Sequence, residues 1–460
     1  MPNWVDPCPT CPHRYPAIGG DGPQPAPVLC ILERPGPDEN RYGRVACGKT
    51  GQELDELYLP LAGLDRSEIR VCNTVLCWAG NNKKPSDKDI FACAAHLAQE
   101  IALTQPEVII MAGATPCGLL PAIKLKMMHG IPQHTSKVGS LFGWEGWVIP
   151  INHPAQGLHE SRWMKSMMDD WRECLAPGSL KYDPEPEQTN YYQARTRGEV
   201  STYFTKHSTR YDNEPGVDTE SHGGHPWSVQ ASAAPGTGIL IRSTDLDALE
   251  ELRFWADGCI LHNAAYDLEV LRKLGFNLTH YRDTMQESFH LGDLPHGLKE
   301  LSYRLFRHTM TSYAETVRPA SIRALQTWMQ EALQIAILDL SFVERVQLKT
   351  KVKEVVRKGE LESLLTRLIR NADPDSEYDP WGDSDDPRLN AFWNDPCNEW
   401  MRSHIETRIG HYPILGIANC TMEEAVRYAV GDADWTGRCA VELARRREGA
   451  FKIFEGDRDA

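Results

Sequence analysis

Cys259-Ile260-Leu261-His262-Asn263-Ala264-Ala265-Tyr266-Asp267 decides how the second half of the chain is read. A short apolar run reads as a buried strand leading straight into Asn263, and Asp267 then falls in the first turn of a helix. Two further acidic stretches flank it in order. Gly216-Val217-Asp218-Thr219-Glu220 lies upstream and Tyr428-Ala429-Val430-Gly431-Asp432-Ala433-Asp434 downstream. Asp218, Glu220, Asp267 and Asp432, if they converge, can hold two divalent cations, hard ions that prefer oxygen. Such a pair clamps the attacking and leaving oxygens of a phosphodiester. Tyr428 lies four residues before Asp432 and shares its helical face, where its hydroxyl can orient the attacking water. Thr421 is the expected N-cap of that helix, with Glu424 at the capping-box position. Asp434 is read as a bystander, and His222 and His225 as polar loop residues.

Working outward, Ile239 to Ile241 reads as another strand and Asp245 to Ala256 as a helix. The region before Gly216 is different. Ala176 to Pro215 is rich in Pro, Tyr, Thr and charge and reads as a linker, with one edge strand at Val200 to Phe204. Residues 1 to about 175 alternate apolar strands (Val28 to Leu32, Ile69 to Val75, Val108 to Ala112, Trp147 to Ile151) with helices at Gly51 to Leu61 and Asp87 to Leu103. That alternation points to a mostly parallel sheet. Ile322 to Ile369 is helical in period, and the Trp-containing stretch after it is acidic. Residues 309 to about 420 therefore read as a mostly helical insertion between the second and third acidic motifs.

At 460 residues the chain is expected to hold two or three domains. The formal charge of −15 argues against a surface coated for nucleic-acid binding. Much of the excess is local, since Asp373 to Asp386 holds seven acids and no Lys or Arg. No apolar stretch of spanning length and no signal-peptide pattern is found, so no membrane role and a cytoplasmic location are expected. Thirteen cysteines in such a compartment read as metal ligands and buried thiols rather than disulfides. Cys8-Pro-Thr-Cys11 forms a C-x2-C pair, and Cys77 and Cys93 follow. Four thiolates suit zinc or an iron–sulfur cluster, and spacing alone does not choose. Cys77 and Cys93 could equally be core thiols. Gly43 to Thr50 satisfies the P-loop expression, but no buried strand runs into Gly43, and nucleotide hydrolysis is rejected on that ground.

The three acidic motifs, in their order and spacing, resemble the proofreading 3′–5′ exonucleases of the DEDD superfamily, in the subgroup with a tyrosine in its third motif. Asp283-Thr284-Met285 and His296 to Leu301 resemble the segment that follows the second motif in polymerase-linked members. The resemblance implies an RNase H-like fold binding two Mg²⁺ or Mn²⁺ ions. Asp218 would bridge both ions, Glu220 and Asp432 would complete the first site, Asp267 would hold the second, and Tyr428 would position the nucleophile.

In the first half, Leu32 to Glu39, Gly43 to Gly51, Asn73 to Cys77, Asn81-Asn82 with Pro85, and Asn152-His153-Pro154 together resemble the family 4 iron–sulfur uracil-DNA glycosylases over roughly residues 8 to 172. That resemblance implies a parallel sheet flanked by helices and a [4Fe–4S] cluster on Cys8, Cys11, Cys77 and Cys93, with Zn²⁺ as the alternative. It also implies a base-excision pocket using Glu33, Glu39, Asn73 and His153. The family's Gly-x-Pro-Phe-Val-Gly here reads Gly43-Arg-Val-Ala-Cys-Gly48, so Ala46 stands where a phenylalanine stacks on the base.

The expectation is a chain of two α/β domains: a glycosylase-like domain (1–175), a linker (176–212) and a 3′–5′ exonuclease domain (213–460). This pair resembles the N-terminal part of certain bacteriophage family A DNA polymerases. Too few residues follow Asp432 for a polymerase domain, so DNA (single strands or 3′ ends) and a separate polymerase polypeptide are the expected partners, in a host cytoplasm if the chain is phage-encoded. An active bifunctional glycosylase–exonuclease and a non-catalytic scaffold subunit of a polymerase are the alternatives.

Overall fold

The computed structural model describes residues 3–6, 16–78, 80, 83–160, 163–185, 187–207, 214–292, 295–321, 323–324 and 416–456. Cys8, Cys11, Asn81, Asn82 and most of the expected insertion lie outside the described residues. The chain divides into two units. One comprises Met1–Glu185 with Ser288–His308, the other Pro186–Glu287 with Thr309–Ala460.

In the first unit, β1 (Trp4–Val5) and β2 (Ala17–Ile18) form a small antiparallel pair. The main sheet comprises β3 (Val28–Leu32), β4 (Arg70–Asn73), β5 (Val108–Ala112), β6 (Gln133–His134) and β7 (Trp147–Ile151) in the order β4-β3-β5-β7-β6. All but β6 run parallel. Val-Leu-Cys-Ile-Leu in β3 and Val-Ile-Ile-Met-Ala in β5 are buried along their whole length, as strands covered on both faces must be. The helix Asp87–Thr104 falls where expected and is opened by Ser86. The Ser86 backbone N–H donates to Asp89 at 2.9 Å, while its Oγ accepts from the Asp89 N–H at 3.4 Å. Gly43 is preceded by the helix Pro37–Tyr42, not by a strand, which agrees with rejecting a P-loop.

The helix Leu298–Phe306 also belongs to this unit, although the sequence reading placed it in the exonuclease domain. Tyr303 is fully buried beside Met127 and Met128, and its hydroxyl donates to Gln133 Oε1 at 2.9 Å. Arg307 donates to the carbonyls of Pro132, Ser179 and Lys181.

The second unit holds β8 (Asn190–Gln193), β9 (Gly216–His222), β10 (His225–Ser232), β11 (Thr237–Arg242), β12 (Cys259–Leu261) and β13 (Tyr281–Asp283) in the order β13-β12-β9-β10-β11-β8. β9, β10 and β11 form an antiparallel meander, and β12 and β13 follow in parallel. Counted from β9 the order is 3-2-1-4-5, the RNase H-like arrangement, with β8 added in parallel outside β11.

The edge strand expected at Val200 to Phe204 is instead a helix, Arg197–His207. Thr196 and Glu199 cap its start through the Glu199 carboxylate, and Val200, Tyr203 and Phe204 form its buried face. The real edge strand is β8, so the stretch read as linker contributes two packed elements to this unit.

The helix Met422–Gly456 lies against β8 through β12. It comes so close to β9 that a Cβ on Gly216 would sit 2.2 Å from the Ala433 carbonyl oxygen. Among the described residues, no helix is long and apolar enough to cross a membrane.

Candidate active sites

In the second unit, the alternation of β9 puts Asp218 and Glu220 on one face, with Thr219 between them. β12 runs parallel to β9 and feeds the helix Ala264–Lys273, which carries Asp267 in its first turn. Thr219 Oγ1 donates to Asp267 Oδ1 at 2.7 Å, which fixes the second acidic motif against the first. The last helix supplies Tyr428 and Asp432 one turn apart, and the Tyr428 hydroxyl hydrogen-bonds the Asp432 carboxylate. Burial pushes the Tyr428 phenol well above its ordinary range, and the negative charges of Asp432, Glu220 and Asp218 push it further. One side chain is thus in the field of three of the acids.

Asp267 is only 2% exposed. Burial raises its carboxyl to about 7; the Thr219 hydrogen bonds oppose the rise, and the charges of Asp283 and Asp432 add to it. Buried carboxylates that repel one another call for a cation, and an all-oxygen donor set suits Mg²⁺ or Mn²⁺. Among the described residues, no three acidic, His or Cys side chains lie close enough to enclose an ion, and Asp267 is turned onto Thr219.

Two tyrosines not singled out from sequence join the centre. Tyr266, inside the deciding stretch itself, is raised to about 12 by burial and by Glu220, Asp218 and Asp267, although a Ser221 hydrogen bond opposes this. Tyr313 packs edge-on to Tyr428, ring centroids 5.8 Å apart, and no periodicity marked it. His222 and His225 pair across the β9–β10 hairpin. Asp434 is fully buried on the far side of the same helix turn. It accepts from the Tyr191 hydroxyl at 2.6 Å, the Gly236 N–H at 3.0 Å and Arg438 Nη2 at 2.9 Å, and so anchors the helix.

In the first unit, three of the four expected pocket residues, Glu33, Asn73 and His153, stand at or just beyond the carboxyl ends of parallel strands. The chain leaves β3 toward β4 and then crosses to β5, so the crevice between β3 and β5 is a topological switch point, where α/β sheets bind ligands. Glu33 follows β3, and Thr115 Oγ1, beyond β5, donates to its Oε2 at 2.5 Å. His153 follows β7. Burial lowers its imidazole below the ordinary range, and the charge of Glu33 partly offsets this. The Ala155 N–H donates to His153 Nδ1 at 3.3 Å, which leaves the proton of the neutral ring on Nε2. Gly113, at φ +104, makes room for this ring, since a Cβ there would lie 3.1 Å from His153 Cβ.

Asn73 ends β4 and is 2% exposed. Its Nδ2, like that of Asn152, has no hydrogen-bond partner among the described residues. A buried amide left unmet in the protein is suited to a polar ligand. Glu39 is placed differently from the expected catalytic acid. Its Oε2 accepts from the Gly36 N–H and its Oε1 from the Gly48 N–H, both at 2.9 Å, tying the start of the helix Pro37–Tyr42 to the end of the 43–48 loop. Ala46, left-handed at φ 48, packs into the core under that loop.

Cys77 and Cys93 share one small buried cluster with Ala17. Ala17 bridges Cys77, so β1 and β2, the strands that flank Cys8 and Cys11 in sequence, meet the cluster there.

Residues 20–173 match the uracil DNA glycosylase superfamily. The type-4 uracil-DNA glycosylase of Pyrobaculum aerophilum is 34% identical over 164 residues, covering 80% of that enzyme and 34% of this chain. The chain belongs to the type-4 uracil-DNA glycosylase family. Its relatives in Thermotoga maritima (31% identical, 78% of that enzyme and 33% of this chain) and Saccharolobus solfataricus (29%, 79% and 36%) are also type-4 uracil-DNA glycosylases. All three align with about a third of the chain, so the type-4 family accounts for the first unit's sheet and not for the second. Solved structures similar to part of the chain include the catalytic core of RRP6 from Trypanosoma brucei, at 15% identity and a TM-score of 0.23, covering 28% of this chain and 40% of that one. The EXD2 exonuclease domain soaked in Mn and GMP matches at 15% identity and a TM-score of 0.18, covering 27% and 72%.

Proposed function

We propose that this chain is a hydrolase, a metal-dependent 3′–5′ DNA exonuclease joined to a type-4 glycosylase unit, acting in DNA replication or repair beside a separate polymerase polypeptide. The observation that supports it best is the meeting of β9, the helix Ala264–Lys273 and the last helix around four carboxylates and a tyrosine. Asp218, Glu220, Asp267 and Asp432 would hold two Mg²⁺ or Mn²⁺ ions, which when bound supply charge stabilisation for the attacking and leaving oxygens. Tyr428 remains a neutral phenol, kept so by burial and its acidic neighbours. Its hydroxyl, held by Asp432, orients water for in-line attack. Thr219 holds Asp267 in place until a cation competes for it.

A second reading, base excision, is favoured by the switch-point crevice. Glu33, oriented by Thr115, would stabilise the positive charge that develops on the sugar, and Asn73 would read the flipped base. His153, neutral with its proton on Nε2, would donate to the departing base. Glu39 would shape the loop rather than take part. Ala46 forgoes a stacking contact of about 1–3 kcal/mol, so any excision is expected to be slow or aimed at another base. Cys8, Cys11, Cys77 and Cys93 would carry a [4Fe–4S] cluster, for which four soft thiolates are the appropriate donors, with Zn²⁺ as the alternative.

A 5′-labelled single strand containing one uracil tests both readings. In Mg²⁺ a ladder shortening from the 3′ end is expected, absent in Asp218→Ala and Asp432→Ala; wild-type ladders from both variants would refute the nuclease assignment. In EDTA followed by hot alkali, a break at the uracil would establish excision, and an uncut strand would remove it.

A further inference from the structure

The Asp283-Thr284 pair stands out in the sequence, and the cation site described above does not use it. Asp283 closes β13, and its carboxylate is almost wholly buried. It accepts three backbone hydrogen bonds, from the Asn263 N–H at 3.1 Å, the Ala264 N–H at 3.0 Å and the Met285 N–H at 2.9 Å. The first two donors open the helix that carries Asp267. That helix has no cap of its own, because Asn263 sits at the N-cap in the left-handed region (φ 63, ψ 55) and its side chain makes no capping bond. A helix start leaves its leading N–H groups unmet and favours an anion beside them. Here the anion comes from twenty residues downstream. Thr284 reinforces it: its Oγ1 donates to the Leu261 carbonyl at 3.2 Å and lies 2.8 Å from His262 Nδ1. The end of β12, the left-handed turn and the first turn of the helix are therefore held by two adjacent side chains.

We propose that Asp283 is a positioning residue for the nuclease centre, fixing the entry of the helix Ala264–Lys273 so that Asp267 is presented beside Thr219 on β9. Backbone amides engage both of its oxygens, so it sets where a cation ligand stands without being one. This rests on the exonuclease reading above, and the test separates the two.

The full chain is studied with Mn²⁺ as the probe. Free and bound ion are measured by electron paramagnetic resonance without DNA, and digestion of a labelled single strand is titrated against Mn²⁺. In Asp283→Ala the half-saturating Mn²⁺ concentration is expected to rise about tenfold in both measurements, the loss typical when a ligand's supporting partner is removed. Saturating Mn²⁺ should then restore most of the rate. Asp283→Asn, which keeps one accepting oxygen, should fall between. A wild-type Mn²⁺ midpoint in Asp283→Ala, with Asp218→Ala unable to bind, would leave the nuclease centre standing and overturn the role of Asp283, even if digestion slowed. Equal Mn²⁺ binding by Asp218→Ala and wild type would instead overturn the cation site itself. If Asp283→Ala does not fold, Asp283→Asn decides alone, and an unshifted midpoint there defeats the inference.

Discussion

Truncating Arg304 tests how the first unit is built. Arg304 Nη1 donates to the His129 carbonyl at 3.0 Å and Nη2 to Asp170 Oδ1 at 3.2 Å, while the other Asp170 oxygen lies 2.6 Å from His129 Nδ1. The Asp170 side chain is 3% exposed. Removing one member of a buried ion pair costs about 3–5 kcal/mol, and since His129 still faces Asp170 the low end, about 3 kcal/mol, applies to Arg304→Ala. In a unit of roughly two hundred residues each kcal/mol lowers Tm by about 2–4 °C, so a fall of about 6–12 °C is expected in its transition. Arg304→Lys keeps the charge but not the planar fork and should lose less. Calorimetry of the full chain gives the shift, and hydrogen exchange locates it: amides of Leu298–Phe306 should exchange faster while those of β9 to β11 do not. An unchanged melting profile, or strict additivity of Arg304→Ala with Asp170→Asn, would refute the argument, because coupled neighbours must deviate from additivity.

Three further outcomes follow from the sites. The Asp267 carboxyl is raised, so its proton is held in the folded state and released only as pH climbs through about 7. Metal-free protein should therefore lose stability between about pH 4 and pH 7, and Mn²⁺ affinity should rise about tenfold per pH unit in the upper part of that window, levelling above it; a flat affinity from pH 5.5 to 8 would contradict this. Tyr428→Phe should cut the rate at saturating Mg²⁺ by about 10²-fold or more while leaving Mn²⁺ binding nearly unchanged, measured by single-turnover digestion and metal titration. Protein purified without oxygen should be brown, and Cys77→Ser and Cys93→Ser should each bleach it; colourless wild type with stoichiometric zinc would favour the other metal.

The parts of the fold that announce themselves in sequence are those where burial leaves only one residue type possible. β3 and β5 are runs of apolar residues because both faces are covered, and β12 is marked by the apolar run that delivers Asn263 and Asp267. The candidate nuclease centre is legible for a related reason: a carboxylate set against a buried strand is costly unless a cation or a hydrogen-bond donor meets it. What stays hidden depends on partners far away in the chain. Tyr303, Arg304 and Arg307 read as an ordinary amphipathic helix, and only contacts with residues more than a hundred positions earlier assign it to the first unit. Val200, Tyr203 and Phe204 have strand-forming side chains, but the Thr196–Glu199 cap decides for helix. Glu39 matches a catalytic position by type, and only the structure shows both its oxygens accepting from backbone amides.

The close seating of Ala433 on Gly216 also bears on how the protein is made. β9 emerges from the ribosome more than two hundred residues before Tyr428 and Asp432. At about 5–20 residues per second, two of the three carboxylate-bearing segments wait for about 10–40 s before the third exists. During that interval Gly216 and the β10–β11 face lack their cover, and Asp218 and Glu220 lack the helix that completes their surroundings. On the exonuclease reading, a nascent chain would therefore lack strand-cutting power whatever metal is present, and would gain it in one step, when the helix beginning at Met422 closes over the sheet.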